Sequence, residues 1–250
     1  KKVNMSGHSK WSTIKRKKGA NDAKRGKLFA KLIRSIEVAA KNGGPDPTNN
    51  ASLYQAISKA KSMSVPNDNI EKALKRLSGQ QDSDDFEEIF YEGYGPHGIA
   101  VLVECLTDNR NRTSADVKST FSKYNGSTGA PGSVNYLFER KAIFQFEDSS
   151  DDLINIAIEN ACLDFTENSS GVSIEFTPQE FKKMNEIFEL NNFKSVNAEV
   201  AYVPTTLIML DLEQFKSISR LIEAFEELDD IQNVYTNFDI DEKLLDNTIK

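Results

Sequence analysis

Positive charge in this chain is confined to one end, and that segregation limits what the chain can fold into. Residues 1–80 hold 18 Lys and Arg against 5 Asp and Glu, a net of +13. Residues 81–250 hold 13 against 33, a net of −20, so the overall −7 hides a basic module fused to an acidic one. A break of this size near residue 80 predicts more than one domain, and 250 residues leave room for two or three. The densest stretch, Lys1 to Lys31, has 11 basic residues and a single acid, Asp22. Such a concentration costs self-repulsion and implies a polyanionic partner. The alternative is a solvated arm, or one that folds back on the acidic part. The partner is preferred because the excess runs through the whole module and not through one helix.

The bulk composition is that of a soluble globular protein, 38% hydrophobic and 28% charged. Cys105 and Cys162 lie in apolar, strand-like runs and read as small core residues. No Cys/His spacing resembles a zinc site, and no pattern calls for a cofactor. The longest apolar stretch, Gly98 to Leu106, is too short to cross a bilayer, so no membrane partner is expected. The N-terminus lacks the apolar segment of a signal peptide, although its basic, acid-poor character is superficially that of a mitochondrial transit peptide. Lys1 to Asn4 precede Met5, the expected start. Without a long presequence the cytoplasm is expected, with the mitochondrial matrix as the alternative.

The basic module reads as helical. In Asp22–Asn42, Leu28, Phe29, Leu32, Ile33, Ile36 and Ala39/Ala40 recur at helical spacing. Asn42-Gly43-Gly44-Pro45 is a stop signal. A second helix is predicted after Asn50, with Leu53, Ala56, Ile57, Ala60 and Met63 on one face. A third begins near Asn67, carries Ile70, Ala73, Leu74 and Leu77, and ends at Gly79. Three short amphipathic helices can bury their stripes only against each other, which predicts a small bundle over residues 5–80. Gln80–Asp85 reads as a linker.

Beyond it strands and helices alternate. Predicted strands are Ile89–Gly93, Ile99–Thr107, Val134–Phe138, Ala142–Phe146, Val172–Phe176, Glu199–Val203, Leu207–Leu212 and Val234–Phe238. Predicted helices are Thr113–Tyr124, opened by a Thr113/Asp116 cap pair, Asp151–Ala161, Pro178–Leu190 and Glu213–Leu228. Asn125–Ser133 reads as a hinge or loop. Residues 82–133 alone cannot bury a core, and neither can the segment from 205 onward. Together, residues 82–133 plus 205–245 make a ββαβαβ sheet with helices on one face, and residues 134–204 repeat that order as an insertion. The expected fold class is therefore α+β and multidomain: an N-terminal three-helix bundle and two ferredoxin-like α/β domains, one inserted in the other.

Several segments together resemble the YebC family, which includes the mitochondrial translational activators of cytochrome oxidase subunit one. They are Met5-Ser6-Gly7-His8-Ser9-Lys10-Trp11 with Ile14-Lys15, Asp22-Ala23-Lys24-Arg25-Gly26-Lys27, Val65-Pro66-Asn67-Asp68-Asn69-Ile70 and Tyr91-Glu92-Gly93-Tyr94-Gly95-Pro96. Further on are Glu104 to Thr113, Gly132-Ser133-Val134 and Gln232 to Phe238. The resemblance runs from Met5 to about Leu245. It implies a helical N-terminal domain plus two α/β domains, and a basic N-terminus that belongs to the folded body. It implies no catalytic residues, and a role either in transcription through DNA or in translation at the ribosome. Ser127-Thr128 stand where the family more often has Asn-Leu, and Pro131 stiffens the following glycine loop and removes an N–H donor.

Enzyme motifs are scarce. His8 and His97 are in separate modules, and neither has a triad partner. No P-loop is present, and Ser12-Thr13-Ile14-Lys15 is a chance match to Ser-x-x-Lys. The chain is therefore expected not to be an enzyme. Lys10, Lys15, Arg16, Lys17, Lys18, Lys24, Arg25, Lys27 and Lys31 are the candidate phosphate contacts. Trp11, inside this cluster, either stacks on an unpaired base or anchors the arm to the bundle, the latter being preferred. Arg110 and Arg112, placed just before the Thr113 helix, either form an anion site with its N–H groups or pair with internal acids such as Asp108 or Asp116. The expected partner is nucleic acid, ribosomal RNA or DNA. RNA at the ribosome is preferred because an acidic domain repels a duplex lying along it. A monomer is expected.

Overall fold

The computed structural model describes Trp11, residues 22–77, 86–168 and 171–241, and Leu244. Lys10, Lys15, Arg16, Lys17 and Lys18 lie outside the described residues, as do the predicted Gly79 stop and the 80–85 linker. The architecture is α+β, with N-terminal helices followed by two mainly antiparallel sheets, each covered by helices. By internal contacts residues 28–77 group with 140–201, and Trp11 and residues 22–27 group with 86–139 and 202–241.

Helices α1 (Asp22–Gly43), in the first unit from Leu28 onward, α2 (Ala51–Ser62) and α3 (Asn67–Leu77) follow the predicted stripes. Leu32, Ile36, Ala40, Leu53, Ala60, Ile70 and Ala73 are buried together. Asn50 locks the α1–α2 turn. Its Oδ1 accepts from the Leu53 N–H at 3.0 Å, while its Nδ2 donates to the carbonyls of Ala39 at 2.7 Å and Gly44 at 2.8 Å. This satisfies both an orphan helix donor and the end of the preceding helix.

The same unit contains the sheet β5-β6-β4-β7. Its strands are β4 (Phe138–Phe146), β5 (Asp164–Asn168), β6 (Gly171–Phe176) and β7 (Asn197–Pro204). Its helices are α5 (Asp151–Glu159) and α6 (Phe181–Leu190). Phe144 is the centre of this core, 5.3 Å from the Phe181 ring and 5.2 Å from Phe188. The helical segment docks on this domain through α2. Tyr54 packs edge-on to Phe181, its hydroxyl accepts from Asn185 at 3.2 Å, and Lys59 Nζ lies 2.9 Å from the buried Glu199 carboxylate.

The second unit holds the sheet β3-β1-β2-β9, with β1 (Glu87–Tyr94) and β2 (Ala100–Thr107) central. β3 is Ser127–Thr128 and β9 is Ile231–Thr236. Helices α4 (Arg110–Lys123) and α7 (Leu212–Glu226) bury Val117, Phe121, Phe215, Ile218 and Phe225 against Val101, Val103 and Val234. Gly93 is required where it stands, because a Cβ there would run into the Ser127 carbonyl and the Phe121 ring. Cys105 is buried in this core, as expected, while Cys162 of the other unit is half-buried.

Four local expectations are corrected. Helix α4 starts at Arg110 and not at Thr113, because Asn109 is its cap. Val134–Phe138 is no strand: Asn135–Leu137 forms a 3-10 turn, and the strand begins at Phe138. β5 was not anticipated. The 207–212 segment does not join the main sheet; β8 (Ile208–Leu210) pairs in parallel with β10 (Phe238–Ile240) as a separate ribbon.

Candidate nucleic-acid interface

Helix α1 carries the described part of the basic cluster. Lys27 and Lys31 recur at helical spacing, beside the Leu28–Leu32–Ile36 stripe that enters the core, and Lys24 is in the first turn. Arg25 and Lys27 are exposed. Lys27 Nζ approaches Asp229 at 3.7 Å and the Glu227 carbonyl at 3.5 Å. Both Lys27 and Asp229 are largely solvated, so this pair contributes little and a phosphate can displace it. Lys31 departs from the expectation. Only 9% of it is exposed, because its row borders the stripe that packs inward. Further along the helical segment Lys41, Lys61, Lys72, Lys75 and Arg76 are exposed. Lys59 differs in pairing with the buried Glu199 at 2.9 Å, whereas Lys75 and Arg76 make solvated pairs with Glu71 at 3.8 Å and Glu37 at 3.7 Å.

Trp11 is an anchor, but not to the helical bundle. It is 5% exposed and belongs to the core of the β1-β2-β9 unit. Its ring meets Phe215 edge-on at 6.5 Å, and its Nε1 donates to Glu226 Oε1 at 3.0 Å. A buried indole with its N–H satisfied has no face left for a base.

The two arginines separate. Both lie in the first turn of α4 and not before it. Arg112 follows the internal-pairing alternative. Its Nη2 is 2.8 Å from Asp230 Oδ2 and 2.8 Å from Asp108 Oδ1, and its Nε donates to Asp230 at 3.2 Å. The helix N–H that an anion would use, on Arg112 itself, is taken by the Asn109 side chain at 3.1 Å. Asp116, the other suggested acid, is exposed. Arg110 remains on the surface, 68% exposed, with Glu87 at 4.0 Å. The described residues contain no cluster of His, Cys, Asp or Glu that could hold a metal ion, and no helix among them is long and apolar enough to cross a membrane.

Sequence reasoning missed Asp230 and Glu226. Each is one of 38 acids, and its partner lies more than a hundred residues away, so no local spacing marks it.

Comparison with known proteins covers both units. Residues 9–80 match the model described as "TACO1/YebC protein N-terminal domain", and residues 86–238 match "TACO1/YebC second and third domain". The chain belongs to the TACO1/YebC family. A family relative from Geotalea uraniireducens, named "Probable transcriptional regulatory protein", is 48% identical over 244 residues, covering 97% of this chain and 99% of the relative. One of the same name from Geobacillus thermodenitrificans is 46% identical over 240 residues, covering 94% and 97%. Among solved structures, a conserved hypothetical protein from Aquifex aeolicus superimposes with a TM-score of 0.79 at 41% identity, covering 88% of this chain and 93% of that one. This TACO1/YebC member therefore shares its fold with the Aquifex aeolicus protein over 88% of its length.

Proposed function

We propose that this chain is a non-enzymatic regulator of gene expression that binds nucleic acid through its basic N-terminal module, as an RNA- and ribosome-associated translation factor. In this reading it is a cytoplasmic monomer of three modules: a basic helical one (5–80), an α/β one (82–133 plus 205–245) and an inserted α/β one (134–204). The observation that carries the reading is the +13/−20 split, with Arg25, Lys27, Lys41, Lys61, Lys72, Lys75 and Arg76 exposed on the basic side. The names of the relatives support a regulator of gene expression. They also favour the second reading, a DNA-binding transcriptional regulator. Residue chemistry argues for RNA. Between Met5 and Lys31 there are seven Lys and two Arg, and lysine contacts phosphate as a point charge while reading base edges poorly.

The test uses the full-length chain, because removing the N-terminal module would also remove Trp11 from the second core. If about six phosphates are neutralised, log K against log salt slopes near −4 on single strands and about −5 on duplex DNA. Replacing Lys15, Arg16, Lys17 and Lys18 together with Gln should reduce the single-strand slope to about −1.4. Duplex sequences should differ in affinity by less than about a hundredfold, below the range of an operator binder. Ribosome co-sedimentation should be lost on a high-salt wash, and an effect on protein synthesis should persist at constant transcript level. A footprint on one promoter at nanomolar protein, without ribosome binding, would reverse the order of the two readings.

A further inference from the structure

Strand β1 carries a buried carboxylate and an exposed ring two residues apart. Glu92 lies under the loop that follows β3. Its carboxylate accepts from the N–H groups of Gly132 at 2.6 Å, Val134 at 2.7 Å and Asn135 at 2.8 Å. Its main-chain carbonyl accepts from Gly129 at 2.8 Å. Burial works to raise the Glu92 pKa, but the three N–H bonds outweigh it and hold the group below its ordinary value. Converging N–H groups in a glycine loop can cradle phosphate. Here they are filled from inside the protein by Glu92 and hold no external anion.

What this loop presents outward is neutral and aromatic. From Asn125 to Leu137 there is no charged residue, in a part of the chain with 33 acids against 13 bases. Ser127 through Gly132 are exposed and small. Tyr136 is 70% exposed and Tyr94 37%. The Tyr94 hydroxyl donates to the Ser133 carbonyl at 3.2 Å, which ties that ring to the loop. Burial and then the neighbouring Tyr136 phenol push the Tyr94 pKa up. Aromatic hot spots of protein–protein interfaces sit in well-packed pockets surrounded by contacts that exclude water. Here the flanks are Gly, Ser, Thr, Ala and Pro, which leave an open planar face. The lack of charge lets a phosphodiester approach where the rest of the acidic part would repel it.

We infer that Tyr136, supported by Tyr94, is a stacking platform for an unpaired base of single-stranded nucleic acid. This rests on the proposed function and gives the acidic part a base contact of its own, in addition to the phosphate contacts of the basic module.

The experiment measures binding of full-length wild type, Tyr136→Ala and Tyr136→Phe to short fluorescein-labelled homopolymers of RNA and of DNA, and to a duplex, over a salt series. Tyr136→Ala should weaken single-strand binding about 5- to 100-fold, leave the salt slope unchanged and leave duplex binding unchanged. Tyr136→Phe should bind as wild type, and the exposed position predicts an unchanged melting temperature for both variants. Comparison of the RNA and DNA arms tells which strand type is the ligand. Unaltered single-strand affinity in Tyr136→Ala, or an equal loss on duplex, overturns the platform alone. Unaltered affinity with lost ribosome co-sedimentation also overturns it and assigns the patch to a protein partner. No binding by wild type to any probe overturns both the platform and the proposed function.

Discussion

Replacing Trp11 with Ala lowers the stability of the chain by about 3–5 kcal/mol, the usual loss for truncating a large buried aromatic. The residue is 5% exposed, shares a core with Phe215, Ile218 and Phe225, and satisfies its N–H on Glu226. Ala would leave a cavity and remove the indole N–H that Glu226 accepts. In a domain of this size the loss corresponds to roughly 10 °C in melting temperature. Trp11→Phe should recover most of it, losing only the hydrogen bond and part of the volume. The residue is the sole tryptophan of the chain, so its fluorescence reports on it without labelling. Emission should be blue-shifted, resistant to acrylamide, and unchanged when single-stranded RNA is added. Strong quenching by RNA would return Trp11 to the interface and contradict its burial.

The consequence for function is that, among the described residues, Trp11 is a buried side chain of the basic arm that packs in the core of the acidic part. A truncation of the N-terminal module therefore tests two things at once, binding and folding. Charge substitutions that spare Trp11 test only the first.

Most elements were legible in the sequence because their apolar positions repeat at one period. The α1 stripe is of this kind, while β2 stands out as a continuous apolar run that is buried on both faces. Failures occurred where a distant polar group decides the local backbone. Between Thr107 and Thr113 there are several residues able to cap a helix. Asn109 takes the role because its N–H is held by Thr107 Oγ1 at 2.9 Å, and Thr113 instead turns inward to Asp230 at 2.7 Å. Val134-Asn135 looked like a strand, but its N–H groups are captured by Glu92, some forty residues earlier. β5, with the sequence DFTEN, is a polar edge strand that follows no alternation of apolar and polar residues. Among the candidate site residues, charge alone marked Lys31 and Arg112. Charge does not tell an exposed cation from one turned into its own fold.

The network around Asp230 predicts a loss of similar size. Its carboxylate takes hydrogen bonds from Thr113 Oγ1 at 2.7 Å, Thr107 Oγ1 at 3.1 Å and two nitrogens of Arg112, while its carbonyl accepts from Leu106 N–H at 2.8 Å. One residue thus joins the end of β2, the first turn of α4 and the start of β9. Asp230→Ala removes the carboxylate shared by the buried Thr107 and Thr113 hydroxyls and one of the two acids paired with Arg112, and should cost about 3 kcal/mol, the lower end of the range for breaking a buried pair because Arg112 is half solvated and keeps Asp108. Arg112→Ala should also lower the melting temperature, whereas Arg110→Ala should not. The pH dependence has a definite sign. Burial works to raise the Asp230 pKa, but the hydrogen bonds from Arg112 and Thr113, the Arg112 charge and the Thr107 bond outweigh it, so the folded value is depressed. Stability from this group is therefore fully present well above the unfolded aspartate value of about 3.9 and fades as pH falls through that value toward the folded one. The gap in melting temperature between wild type and Asp230→Asn should be widest at neutral pH and close progressively below about pH 4. A gap that stays constant across that range would mean that the shape of the side chain, and not its charge, holds the three segments together.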